Sequence, residues 1–226
     1  MKERPIIFSS AMVRAILEGR KTQTRRVIKP QPTVTEELLR QRGAWIAGES
    51  LSDQVNAAWQ HGFVDVSCPY GQPGDRLWVR ETWGCKAADR PGVPGGRKPQ
   101  PGDSIQYAEN GADAWQWRVP GSLPWRPSIH MPRWASRILL EITDVRVQLV
   151  QDISEEDARS EGVLWVPGHG EITPADLHEG YSNYLDCRQG FQVLWDSINA
   201  KRGFGWDANP WVWALTFKRV EDGELE

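Results

Sequence analysis

Gly19-Arg20-Lys21-Thr22-Gln23-Thr24-Arg25-Arg26 sets four cationic side chains and two hydroxyls within eight residues. It follows directly on Met12, Val13, Ile16 and Leu17, whose i, i+1, i+4, i+5 spacing is that of one buried helix face. Gly19 sits where such a helix ends. The basic cluster is therefore expected at the end of a packed helix, where concentrated charge meets a polyanion or takes part in chemistry. Lys21 and Thr24 share a face if the turn stays helical and oppose each other on a strand. An amine beside a hydroxyl is a recurring base–nucleophile arrangement, provided the lysine is brought below its ordinary ~10.4. The charges of Arg20, Arg25 and Arg26 push that way, and the C-terminal end of the preceding helix pushes the other.

Outward from this cluster, residues 5–9 read as a short strand and 10–18 as the helix. The run Val27-Ile28-Lys29-Pro30-Gln31-Pro32 is extended. A helix is expected over 35–41, then irregular structure to residue 60. Residues 76–80 alternate like a strand, with Leu77 and Val79 on one face. Further strands are expected at 105–107, 115–119 and 138–150, the last split by a turn near Thr143-Asp144. Prolines and glycines make 84–103 a loop, and 120–135 is again proline-rich. Ser154 and Asp157 form a capping-box-like pair that opens an acidic helix, closed by Gly162. Glu161 falls in the last turn of that helix, where the dipole disfavours negative charge. It is either a proton donor with a raised pKa or the partner of a cation. Phe191, Leu194, Trp195 and Ile198 mark one more amphipathic helix, and 211–220 a final strand. Strands that outnumber helices point to an α+β fold with a barrel core.

The 226 residues suffice for one domain with insertions, and 39% hydrophobic with 25% charged content is ordinary for a globular chain. No apolar run approaches the ~18 residues that span a bilayer, and Ile6-Ile7-Phe8 is too short for a signal-peptide core. The expectation is a cytoplasmic protein with no membrane partner. Cys68, Cys85 and Cys187 lack a C-x-x-C pair, which argues against a disulfide framework and a structural zinc site. The net charge of −3 hides an asymmetry: residues 1–30 carry eight Lys or Arg against two Glu, a balance of +6 that leaves −9 for the remainder. A local basic patch on an acidic body suits one phosphorylated ligand or a short RNA strand, rather than broad duplex binding.

The octapeptide resembles the G-x-K-x-x-x-x-R signature of ASCH domains, through Gly19, Lys21 and Arg26. Three further stretches resemble the same family in the same order: Pro73-Gly74-Asp75-Arg76-Leu77, residues 153–162 and Trp211-Val212-Trp213-Ala214-Leu215-Thr216-Phe217. Together they look like the ASCH proteins of phages and prophages. The resemblance implies a PUA-like β-barrel with flanking helices: a single domain over 1–226, with Pro/Gly/Trp-rich insertions at approximately 30–72 and 84–134. It also implies an RNA- or modified-nucleoside-directed function, most concretely hydrolysis of N(4)-acylated cytidine. The residues that carry over from that amidohydrolase are Lys21, Thr24 and, less directly, Glu161, with Arg26 as a substrate-binding or ordering group. Arg25 departs from the family enzyme, which has an apolar residue there. The implied scheme requires no cofactor and no metal.

Thirteen tryptophans are the other anomaly. Those on expected elements (Trp78, Trp83, Trp195, Trp211 and Trp213) read as core, and those in loops can stack on bases or pin the loops down. Trp83 is the ring expected beside the site, because it follows the end of the 76–80 strand; Glu81 there competes with Glu161 for the acidic role. Two other readings stay open. One is an RNA-binding module or metal-independent ribonuclease. The other is a phage accessory protein that holds a host protein through the insertions.

Overall fold

Trp211-Val212-Trp213-Ala214-Leu215 is apolar at every position, a pattern of strands buried on both faces. In the computed structural model, which describes residues 1–63, 66–85, 100–108, 125–165, 181–182 and 186–220, this run lies in a strand packed from both sides. The elements are β1 (Glu3–Ile7), α1 (Ser10–Leu17), β2 (Gln23–Val27), α2 (Glu36–Gln41), α3 (Leu51–Gln60), β3 (Arg76–Arg80), β4 (Trp83–Cys85), β5 (Ile105–Tyr107), β6 (Leu139–Leu149), α4 (Glu155–Ser160), β7 (Leu164–Trp165), β8 (Tyr181–Ser182), α5 (Cys187–Asn199) and β9 (Trp211–Arg219). Five strands form one mixed sheet in the order β1-β3-β6-β9-β2. β1 and β3 run parallel and the other pairs antiparallel. Two short ladders, β4–β5 and β7–β8, stand apart from it.

Trp211, Trp213, Leu215 and Phe217 share a core with Val13 and Ile16 of α1 and Val55 of α3. Val212, on the opposite face of β9, joins a second core with Ala158 of α4 and Phe191 and Trp195 of α5. A sheet with helices on both faces is thus the α+β arrangement. The barrel is a correction: among the described residues the sheet is open, with β1 and β2 as its two edges. A side chain makes the contact between those edges that a backbone ladder would make in a barrel. The Arg26 guanidinium donates to the Ile7 carbonyl at 2.7 Å.

Most boundaries fall where the sequence puts them, and three differences have physical causes. The expected turn at Thr143-Asp144 is a bulge inside the continuous β6, where the register against β9 shifts between Ile142 and Asp144. α3 was expected to be irregular. Its polar residues are satisfied by tertiary bonds: the Ser52 hydroxyl accepts from the Leu149 amide, and the Asn56 side chain from the Val147 amide. Asp157 does not complete a capping box. Ser154 does cap α4, accepting from the Asp157 amide at 3.0 Å, but the Asp157 carboxylate turns to arginines instead. The expected strand at 115–119 and most of the 84–134 insertion lie outside the described residues.

Two glycines with positive φ end the helices that matter here. Gly19 (φ +75°) closes α1, with its amide on the Ile16 carbonyl, and turns the chain so that Lys21 enters the sheet region. Gly162 (φ +89°) does the same after α4. A Cβ at residue 162 would stand 3.1 Å from the Cβ atoms of both Ala15 and Lys21. Gly162→Ala therefore meets a left-handed penalty of about 1–2 kcal/mol plus a clash, and a fall in melting temperature of about 2–8 °C is expected. Calorimetry checks this; an unchanged midpoint would mean that neither neighbour constrains the turn.

Candidate active site

The two glycine turns bring the ends of α1 and α4 together. Lys21 and Glu161 form an isolated antiparallel bridge, and the Thr22 amide donates to the Ser160 carbonyl at 2.9 Å. Lys21 is 2% exposed and Glu161 4%. The Lys21 Nζ donates to Glu161 Oε2 at 2.7 Å and to the Glu161 carbonyl at 2.8 Å. Arg25, also buried, donates to Glu161 Oε1 at 3.0 Å and to Asp157 Oδ2 at 2.7 Å. Gln23 and Arg146 donate to Asp157 as well. The strand explains this grouping: β2 alternates faces, so Gln23 and Arg25 point together toward α4.

Of the two readings of Glu161, the structure places it as the partner of cations, with a lysine on one carboxylate oxygen and an arginine on the other. Burial disfavours the Lys21 ammonium; Glu161 opposes that, Arg26 and Arg25 add to it, and the lysine ends below its ordinary range. Burial pushes the Asp157 carboxyl up, but the Gln23 hydrogen bond and the charges of Arg25 and Arg146 outweigh it and hold the group below the usual carboxylate range. A native pKa below the unfolded ~3.9 means that this stability is whole above about pH 4 and lost as pH falls through the native value. In melting curves between pH 2 and 5, Asp157→Asn is expected to flatten the acid slope. An unaltered slope would place the acid-sensitive carboxylates elsewhere.

A cavity of about 440 Å³ opens beside this cluster. Glu161, Thr24, Arg25 and Arg26 line it, together with aromatic rings that include Tyr70 and Phe191. Lys21 is not in the lining; it stands behind the Glu161 carboxylate. Thr24 lies on β2, with its side chain on the face opposite Arg25, and among the described residues no hydrogen bond links it to Lys21. The fourth cation of the octapeptide, Arg26, rests on the Phe8 ring, 5.2 Å from its centroid.

The other two expected site residues lie elsewhere. Glu81 is buried against Arg137, whose Nε and terminal nitrogen reach its two oxygens at 3.0 and 2.9 Å. Trp83 packs with Cys85, Met131 and Ala135 in a separate cluster. Neither lines the cavity. Asp157, Gln23 and Arg146 were not anticipated, although the acidic run Glu155-Glu156-Asp157 was the available signal for the first. Among the described residues no three His, Cys, Asp or Glu side chains converge as a metal site, and no helix is long and apolar enough to cross a membrane.

No family model matches the chain, and no curated protein matches it. Among solved structures it is similar to protein EF3133 from Enterococcus faecalis V583, described by the family name DUF984. The TM-score is 0.38 and the identity 10%, over 97% of this chain and 81% of that one. It is also similar to an ASCH domain from Lactobacillus crispatus JV V101, with a TM-score of 0.37 and 11% identity over 96% and 79% of the two chains. The second carries the family name that the Gly19–Arg26 octapeptide resembles. At such scores neither assigns an activity, and the chemistry rests on this chain's own residues.

Proposed function

We propose that this chain is an ASCH-type amidohydrolase acting on N(4)-acylated cytidine or a related modified nucleoside. One observation carries the reading: a buried Lys21–Glu161–Arg25 cluster meets a nucleoside-sized cavity at Glu161 and Arg25. Small-molecule sites occupy about 300–1,000 Å³, so the cavity volume suits a nucleoside. The sequence resemblance points to Lys21 and Glu161 of this cluster, and Arg25 departs from it.

In this scheme Glu161 takes a proton from a water molecule as the water oxygen attacks the acyl carbonyl carbon. The Thr24 hydroxyl, on the cavity wall, donates to the carbonyl oxygen as negative charge develops there. The C–N bond then breaks, and Glu161 delivers its proton to the departing exocyclic nitrogen, giving the free amine and a carboxylic acid. Lys21, as an ammonium, holds the Glu161 side chain in place between turnovers. Arg26 positions the substrate.

Chromatography of N(4)-acetylcytidine incubated with the protein tests this directly, and cytidine plus acetate is the expected product pair. Because Lys21 must stay protonated and its pKa is lowered, the rate is expected to fall on the alkaline side before the ordinary lysine value of ~10.4. No cytidine at any pH from 5 to 10 would sink the reading.

A second reading is supported by Arg26, Lys29 and Arg202, three cations along the same cavity. They suit the phosphates of RNA, either bound or cleaved, and salt-dependent binding of a short RNA without cytidine release would favour it. The host-protein reading rests on the insertions at 30–72 and 84–134, and most of the second lies outside the described residues.

A further inference from the structure

Among the described residues β2 has a neighbour on one side only: it pairs with β9 and stands at the edge of the sheet. In an antiparallel ladder, alternate residues turn both their N–H and C=O toward the partner strand, and the residues between turn both away. The phase is set at each end. The Thr22 carbonyl accepts from the Phe217 amide at 2.9 Å, and the Ile28 amide donates to the Trp211 carbonyl at 3.0 Å. Thr24 and Arg26 therefore face β9, while the backbone polar groups of Arg25 and Val27 face the open side. Among the described residues none of those four groups has a backbone partner. The open side is not bulk solvent. Six consecutive residues, Thr24 through Lys29, line the cavity, so the free edge of the strand forms one of its walls.

Unsatisfied strand-edge groups inside an aromatic-lined cavity are a ready template for a flat heterocycle. We infer that the free edge of β2 reads the hydrogen-bonding edge of the nucleobase: the Arg25 carbonyl accepts from the exocyclic N4–H, and the Val27 amide donates to the adjacent ring N3. This orientation, which rests on the proposed function, places N4 nearest Arg25, whose guanidinium is on Glu161. Tyr70, Phe191 and Trp195 in the lining supply apolar area for the ring faces. Backbone groups carry the recognition here, which no reading of side-chain types exposes.

The test measures binding of cytidine, which carries no scissile acyl group, against 3-deazacytidine, which lacks the N3 acceptor, and N4,N4-dimethylcytidine, which lacks the N–H. Calorimetric titration of the wild-type protein is expected to give about tenfold weaker binding for each analogue, the range for a hydrogen bond lost at a buried site. Val27→Pro removes only the outward N–H, and an edge strand tolerates that change. In this variant cytidine should bind about tenfold more weakly, and the gap between cytidine and 3-deazacytidine should close. Equal affinity of the wild type for all three nucleosides overturns the inference, as does a gap that persists in a folded Val27→Pro variant. Failure to bind any nucleoside overturns it too. If Val27→Pro does not fold, the wild-type series alone decides. Edge-dependent binding without turnover of N(4)-acetylcytidine would sink the hydrolase reading and leave this one standing; turnover without edge dependence would do the reverse.

Discussion

Glu161→Gln is expected to lower the melting temperature by about 6–20 °C and to abolish turnover. The carboxylate accepts from Lys21 on one oxygen and from Arg25 on the other, and all three side chains are almost wholly buried. Removing one partner of a buried ion pair leaves an uncompensated charge in a poorly solvated place, at about 3–5 kcal/mol. Here Lys21 loses its anion and keeps only neutral oxygens, the residue-161 carbonyl and the new amide, while Arg25 retains Asp157. For a chain of this size each kcal/mol corresponds to about 2–4 °C. The chemical loss is separate: an amide cannot take the proton of an attacking water, so the rate should fall by about 10²–10⁴. Thermal melting and a single-turnover assay separate the two effects. A variant that melts within 2 °C of wild type, or that releases cytidine at the wild-type rate, would remove Glu161 from the centre of the site.

The second large effect is expected at Lys21. Methionine has a similar length and no charge, so Lys21→Met keeps the contact beneath Gly162 and the stem near Phe8 while deleting the ammonium. Glu161 keeps Arg25, so the stability loss should be smaller than for Glu161→Gln. Turnover should nonetheless fall by at least about 10², because the carboxylate loses the donor that fixes its position. Nucleoside affinity should hardly change, since Lys21 lies outside the cavity lining. A lowered kcat with an unchanged dissociation constant fits a positioning group. A weaker, salt-sensitive affinity with no catalytic loss would instead move the protein to the RNA-binding reading.

The sequence carried the local features of this arrangement. The helix before Gly19, the cap at Ser154 and the apolar run of β9 follow from short-range rules of spacing, capping and double-sided burial. So does the pairing of Glu161 with a cation, one of two outcomes that the end of an acidic helix allows. What depended on distant partners was not legible. Gln23-Thr24-Arg25-Arg26 is too polar to read as a strand, and is one because β9 pairs with it from the far end of the chain. That pairing puts Thr24 on a strand and not on a helical turn shared with Lys21, a question left open by sequence. Arg25 reads as a departure from an apolar family position; it is buried because Glu161 and Asp157 receive it, and neither contact is visible at a separation of more than 130 residues. Glu81 and Trp83 were placed by their position after β3, but the chain there turns to Arg137 and to a separate cluster.

The partnership of β2 with β9 also governs when this protein becomes competent. Lys21 and Glu161 are 140 residues apart, and the strand that seats the octapeptide lies later still, at Trp211–Arg219. During synthesis every residue named for the chemistry emerges before the ladder that orders them. A ribosome-bound chain or a fragment ending before Trp211 carries Lys21, Thr24, Arg25 and Glu161 and still has no sheet edge on which to display them. Among the described strands β9 is thus the one that seats the octapeptide, and the proposed site forms only when these two distant segments have paired.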